Sequence, residues 1–405
     1  MSKDVAVSHS TGPEPHSKPQ KGKRLNRPHR SLLLTDYMSQ VGPTDQLSLD
    51  DLQPVLLGLF GEVGSIMATA KKLHREKAAY AGYRHAVEEE FGDALWYLAA
   101  LCRRLNLRVD EIFGEVAGGK NYVTAVAAND LVQSPISHVA TPLTVPGLDT
   151  ALLELGEAAA GLFILRVSRD HGRIEIATFA DAYLRALTAA NVAFAEVVHK
   201  NIAKTTGRFL DPDYAKMPTF DYGFPEEEQL PGHFEITISQ RSSGSSYMQW
   251  HGVYIGDPLA DNIRDPDGFR FHDVFHFAHA AILHWSPTFR GLIKRKRKSA
   301  PKVDEAQDGG RAIVVEEGLT AWIFARAKEL NYFDGQETVS FDLLKTIQQF
   351  VAGYEVEACP LRLWEIAILK GYGVFRQVQA NNGGMIIADR PKRTIEYKPL
   401  RQTTA

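Results

Sequence analysis

The chain has 405 residues, 44% of them hydrophobic and 23% charged, with a formal net charge of −3. That length allows two or three domains with cores of their own, and the near-neutral balance excludes a global pull toward nucleic acid or anionic membrane. No apolar run approaches the roughly 20 residues needed to span a bilayer, and the basic, Pro-rich start leads into no apolar signal segment.

Residues 1–30, rich in Ser, Pro, Lys, Arg and His and without apolar periodicity, read as a disordered basic tail. From 31 to 210 the pattern is helical. Leu56, Leu59, Phe60, Val63, Ile66, Met67, Ala70 and Leu73 follow a 3.6-residue period. A break at Tyr80–Tyr83, containing Gly82, leads into a second helix over 87–105 with Phe91, Ala94, Leu95, Leu98, Leu101 and Leu105 on its inner stripe. Such short connections imply antiparallel neighbours in a bundle. Cys102 falls inside this helical pattern, and with only Cys359 besides it there is neither a disulfide framework nor a cysteine-based zinc site. A reducing cytoplasm is the expected setting.

The motif Phe91-Gly92-Asp93-Ala94 returns as Phe179-Ala180-Asp181-Ala182, and Glu154-Leu155-Gly156-Glu157-Ala158 echoes the Gly61-Glu62-Val63 helix with a one-residue shift. Two helical hairpins, an internal duplication, account for this; chance likeness between amphipathic helices is the competing explanation. Residues 115–150 read as a long connection or insertion. Pro212, Pro218, Pro225 and Pro231 mark a linker over 211–232. Beyond it, 233–405 reads as an α+β domain. Its expected elements are a strand at 234–238, helices near 270–285, 311–331, 340–357 and 360–371, and a closing hairpin over 384–397. The expected fold is therefore multidomain, an N-terminal all-α helical bundle followed by an α+β C-terminal domain.

Chemistry concentrates in the first helices. Glu90 and Asp93 are three apart and project from one helical face. Glu62 lies between Leu59 and Ile66 on an apolar face, so it points at a packed partner. Carboxylates aimed into a bundle are costly unless a cation or hydrogen bonds compensate them, and magnesium is the expected cation. Lys71, Lys72 and Arg75 follow Glu62 by nine to thirteen residues. Asn201, Lys204 and Arg208 share a face if their helix persists through Gly207. Carboxylates for magnesium with cations for the remaining phosphate oxygens is what a triphosphate needs. Trp96, Tyr97 and Tyr83 are candidate apolar walls for base and sugar.

On these residues, 31–210 resembles the MazG-like, all-α nucleoside triphosphate pyrophosphohydrolases, relatives of the dimeric dUTPases. That family pairs an ExxE element on one helix with an ExxD element on the next. Glu62 matches the first position of ExxE, Glu90 and Asp93 match ExxD, and Asn201, Lys204 and Arg208 match the later Asn-xx-Lys and Arg. The family's second Glu falls on Ser65, a departure that bears on metal count and rate. Water on the metal is the simple replacement. The resemblance implies catalysis and magnesium ligation by Glu62, Glu90 and Asp93. It also implies a nucleoside triphosphate substrate, release of pyrophosphate and a nucleoside monophosphate, and pairing of subunits as a homodimer. Lys204 and Arg208 would stabilise the leaving group.

Two further clusters lie in the second domain. His272 and His276 stand one turn apart in Phe271-His272-Asp273-Val274-Phe275-His276, which looks like the zincin HExxH with Asp for Glu. Glu316 or Glu317 is available as a third ligand, Glu317 being the one assigned, for a metal such as zinc. The competing reading is a core helix whose histidines are simply hydrogen-bonded. The run Lys294–Lys298 reads as a solvated loop, and alternatively as a sequence-blind contact to nucleic-acid phosphates. No GxxxxGK[ST] phosphate loop is present. Beside the pyrophosphohydrolase, two alternatives stand: a catalytically weakened nucleotide sensor that regulates the C-terminal domain, and a His/Glu metal hydrolase in that domain.

Overall fold

The structure is a computed structural model that describes residues 34–118, 122–123 and 141–400. The expected basic tail, and the middle of the expected connection, lie outside the described residues.

The N-terminal half is built from α1 (Leu34–Val41), α2 (Gln53–Glu76), α3 (Tyr83–Arg104), α4 (Val109–Ala117), α5 (Leu148–Gly161), α6 (Gly172–Ala189) and α7 (Phe194–Phe209). A two-residue ladder pairs β1 (Tyr122–Val123) with β2 (Thr141–Pro142). Local chemistry sets the ends of α2. The Asp51 carboxylate accepts the Gln53 amide at 2.8 Å, and Pro54 sits in the first turn, where a missing N–H costs nothing. Lys77, at φ +49°, stops the helix.

The short loop after α2 returns the chain as α3 along its side; α5 and α6 form a second hairpin, α2 packs on α5, and α7 packs on α3. Val63, Ile66, Phe91, Leu95 and Leu98 are buried at the centre, each contributing about 1.5–3 kcal/mol relative to exposure. Phe60, expected on the inner stripe, instead sits on the outer side against Phe163, ring centroids 5.1 Å apart.

The C-terminal half is a five-stranded antiparallel sheet of β3 (His233–Gln240), β4 (Ser246–Trp250), β5 (Val253–Leu259), β6 (Gly383–Asp389) and β7 (Thr394–Lys398), in the order β5-β4-β3-β6-β7. Ile236 of the central strand faces Trp250 on one side and Ile386 on the other. Between β5 and β6 come α8 (Asp273–Ala278), α9 (Pro287–Leu292), α10 (Pro301–Gln307), α11 (Gly310–Glu329), α12 (Phe341–Phe350) and α13 (Leu361–Ala380). Phe234, Ile236 and Ile238 turn one face of β3 into the helical layer, where α13 packs on α8 and on β6 and β7. Strands β4 and β5 had no counterpart among the expected elements. They are short, irregular in register between Ser246 and Met248, and interrupted by Gly256 and Pro258.

Two expectations need correcting here. The Pro-rich segment is no free linker, because buried Asp221 accepts from Arg290 at 2.7 Å, Arg390 at 2.8 Å and the Leu230 amide at 2.8 Å. Nor is Lys294–Lys298 a solvated loop. Arg297 is buried between Asp308 and Glu355, each carboxylate meeting it within 3.0 Å, and Arg295 donates to the carbonyls of Glu226 and Gln229. Lys294 and Lys298 stay exposed, which undercuts a contact that needed the whole run. No helix among the described residues is long and apolar enough to cross a membrane.

The halves meet along α7. Arg208 donates to Glu365 at 2.9 Å and to the Val339 carbonyl at 3.2 Å, Lys345 reaches Glu89 at 3.0 Å, and Gly207 lets Pro360 approach its backbone.

Candidate functional site

Because α2 and α3 lie side by side, Glu62, Glu90 and Asp93 offer carboxylate oxygens that all lie within 4.8 Å of one another. Burial and mutual repulsion set their electrostatics. Burial comes first for Glu62, reinforced by the charges of Asp93 and Glu90, and pushes its carboxyl up to about 8. Glu90 is raised by burial and by Asp93. Asp93 is raised by burial although Lys204 opposes it. Three acids raised together form a site short of positive charge. An all-oxygen donor set of this size suits a hard divalent cation such as magnesium.

Helix α7 supplies the nearest cation. It runs unbroken through Gly207, so Asn201, Lys204 and Arg208 share a face. The Lys204 ammonium pairs with Asp93 and reaches Glu89 at 2.7 Å. It also sits 4.7 Å from the centre of the Phe341 ring. Asn201 is fixed by the Tyr37 hydroxyl, which donates to its Oδ1 at 2.9 Å, while its own amide lies 3.4 Å from Asp93. Glu89 is thus held by Lys204 and Lys345, outside the three-acid cluster. Ser65 lies one turn beyond Glu62, half-buried and without a carboxylate to add.

A cavity of about 350 Å³ opens beside the acids, lined by Glu62, Asp93, Trp96, Tyr97, Lys204, Arg208 and Phe341 together with Thr44, Gln46 and Thr205. Trp96 is oriented by its indole N–H, which donates to Thr44 at 2.8 Å, and Tyr97 stands edge-on to it. A larger cavity of about 410 Å³ lies across Lys204 and Phe341. It contains Glu89 but none of the three clustered acids, so the smaller one is the chemically equipped space.

Several expected residues are elsewhere. Lys71, Lys72 and Arg75 lie nine to thirteen residues beyond Glu62 on the same helix, roughly 14–20 Å along its axis. Lys72 lies over the Tyr80 ring and Arg75 pairs with Glu76, so they do not reach the cluster. Tyr83 packs on Tyr80, away from the cavity. Arg208 lines the cavity, but its guanidinium is committed to Glu365 and Val339, which removes it as the expected leaving-group cation. Phe341 and Lys345 were missed. They stand more than a hundred residues away, and only domain docking brings them in.

In the second hairpin, Arg185 sits between Glu154, at 3.0 Å, and Asp181, at 3.1 Å. A protein cation occupies the place where the first hairpin gathers its acids, and among the described residues the three-acid cluster occurs once.

In the C-terminal domain, His272 Nε2 lies 3.4 Å and His276 Nε2 3.3 Å from the Glu317 carboxylate. Behind them, Glu316 is buried and accepts from His279 Nδ1 at 2.9 Å, Ser286 Oγ at 3.0 Å and the Thr288 amide at 3.0 Å. Burial opposes charge on Glu316, but His276 and His279 outweigh it and bring its carboxyl down to about 2. Asp273 is buried beside the histidines, and burial raises its carboxyl.

The helical bundle thus gathers three carboxylates and a lysine beside an aromatic-walled cavity and docks on an α+β domain. Residues 215–401, a little under half of the chain, match the family model of the MazG C-terminal domain, which supports a MazG-related family. That match falls on the half for which sequence reading had no family name, and it begins inside the expected linker. A 68-residue stretch is 35% identical to the "Gene 37 protein" of Mycobacterium phage L5 and covers 16% of this chain and 60% of that protein, so the chain spans less than two thirds of that relative's length. No solved structure matches the chain.

Proposed function

We propose that the protein is a magnesium-dependent nucleoside triphosphate pyrophosphohydrolase with its reaction centre at Glu62, Glu90 and Asp93. The observation that carries this reading is the convergence of those oxygens within 4.8 Å beside Lys204 and the cavity wall of Trp96 and Tyr97. Bound magnesium would polarise phosphate oxygens and lower the pKa of an attacking water. The protein's own groups do the rest by positioning and preorganised charge. Trp96 and Tyr97 give the base or sugar an apolar wall. Glu62, whose carboxyl burial and the charges of Asp93 and Glu90 push up to about 8, is an acid that takes up a proton readily. Asp93 would help hold the magnesium, and Lys204, which pairs with it, would offer its ammonium to phosphate oxygens. Phe341 closes the cavity from the C-terminal side and limits water. The reading includes pairing of two copies, supported by large apolar side chains exposed at Leu57, Leu153, Val167 and Ile174.

The test is a panel of nucleoside triphosphates with magnesium, scored by product identity. Pyrophosphate and monophosphate are expected from the wild type. Asp93→Asn should lose at least a hundredfold in turnover with an unchanged circular dichroism spectrum. Equal turnover in that variant removes Asp93 from the mechanism.

A second reading is favoured by one arrangement. Ser65 leaves the cluster a carboxylate short, while Lys204 over the Phe341 ring, Lys345 paired with Glu89 and Arg208 paired with Glu365 tie the site to the C-terminal domain. A nucleotide sensor would bind tightly without releasing pyrophosphate, and the same panel separates the two.

A further inference from the structure

We propose that His272, His276 and Glu317 form a binding site for one divalent first-row transition metal, separate from the acidic cluster and open to solvent on its Glu317 side. The ligating atoms of the three residues lie within 4.8 Å of one another. The tautomers are arranged for it. His272 Nδ1 donates to the Phe269 carbonyl at 2.9 Å, and its ring stacks on Phe269 at 4.3 Å, which fixes the imidazole and leaves Nε2 bare toward Glu317.

His276 is fully buried, and neither of its nitrogens makes a hydrogen bond. Carboxylate oxygens stand 3.1 and 3.3 Å away, but off the angle a hydrogen bond requires. A buried imidazole left so is costly, and a ligand at Nε2 relieves it. The neighbouring triad of His276, His279 and Glu316 does not compete, because both Glu316 oxygens are already engaged by His279, Ser286 and Thr288. Glu316 is instead the carboxylate that faces His276 Nδ1 from behind, as ligating histidines commonly have it.

Two imidazoles and one carboxylate suit zinc, cobalt or iron better than magnesium or calcium, and three protein ligands leave coordination positions open. The exposures agree: the His272 side chain is 12% exposed and the Glu317 side chain 38%, so the open positions face water. A wide π turn, His279–Leu283, begins three residues after the second ligand; such turns recur at functional sites.

The experiment uses the purified full chain, stripped with EDTA and titrated with Co²⁺ under visible spectroscopy and with Zn²⁺ by calorimetry. One equivalent is expected. Glu317→Gln, a change at a partly exposed position, and His272→Gln should each weaken binding at least a hundredfold with an unchanged thermal melt. Asp93→Asn should keep the metal, which distinguishes failure here from failure of the magnesium site. The proposal is overturned if the wild type takes up neither ion, as expected if His276 is merely an imidazolium between two carboxylates. It is overturned equally if Glu317→Gln binds like wild type while His279→Gln does not.

Discussion

At the scale of single residues, two buried titratable groups make opposite demands on pH. Glu62 holds its proton up to about 8 because burial and the charges of Asp93 and Glu90 disfavour the anion. Ligation needs the anion, so magnesium must displace that proton. Magnesium affinity should therefore rise with pH, by at most tenfold per unit, and level off above about 8. Calorimetric titrations at pH 6.5, 7.5 and 8.5 read this directly, and a flat affinity would exclude Glu62 as a ligand.

His284 behaves the other way. Burial first, then the charges of Arg390 and Arg393, bring its imidazole down to about 4, while its Nε2 meets the Arg390 carbonyl at 2.9 Å. The unfolded chain binds a proton there below about 6.5 and the folded chain does not until about 4. Stability from this group is thus complete above 6.5 and falls as pH drops toward 4, by about 2 kcal/mol at pH 5. His284→Asn tolerates the left-handed backbone at φ +59° and cannot titrate. Denaturation midpoints at pH 7 and 5 should differ less in that variant than in wild type.

At the scale of elements, the sequence was most legible where one helix carries both an apolar stripe and its polar exception. The hairpin of α2 and α3 lies within a few residues of the periodicity at Leu59, Val63, Ile66, Phe91 and Leu95, and Glu62, Glu90 and Asp93 are gathered because that periodicity puts them on facing sides. The cations were less legible, since helical spacing gives direction but no reach. Lys71, Lys72 and Arg75 project from the right helix at the wrong height. Arg208 has the right height, yet a carboxylate from the other domain takes it. Strands β4 and β5 carry no clean alternation, and neighbouring strands alone define them.

A methyl at Gly58 would stand 2.1 Å from the Tyr97 ring. In a helix interior Gly→Ala contributes about 1 kcal/mol of stability, whereas overpacking costs about 1–3 kcal/mol. The clash is with a ring held by Trp96, so the steric cost should win. Gly58→Ala should be destabilised by about 1 kcal/mol in chemical denaturation and should bind nucleotide more weakly as Tyr97 is pushed from the wall. A stabilised variant would mean that Tyr97 moves freely and orients nothing.

At the scale of the whole molecule, the candidate site depends on the docking of the two halves, because Phe341 and Lys345 reach it only from the C-terminal side. The Glu365 carboxylate is wholly buried at that junction and accepts from Arg208 at 2.9 Å, Arg362 at 2.6 Å and the Val339 amide at 2.7 Å. Breaking a buried pair from one side commonly costs 3–5 kcal/mol, since the remaining charge is left without compensation. Arg362 still serves Glu365 when Arg208 is removed, so Arg208→Gln should cost less, about 2 kcal/mol. Glu365→Ala should cost more than that, because it strands Arg208 and the Val339 amide together. If the junction couples the halves, Arg208→Gln should split thermal unfolding into two transitions and raise KM for nucleotide more than it lowers kcat, since positioning by Phe341 is lost before the acids are disturbed. A single transition at the wild-type temperature with unchanged KM would show that the halves stay docked without the clamp, and that Arg208 neither positions the C-terminal wall nor serves the site.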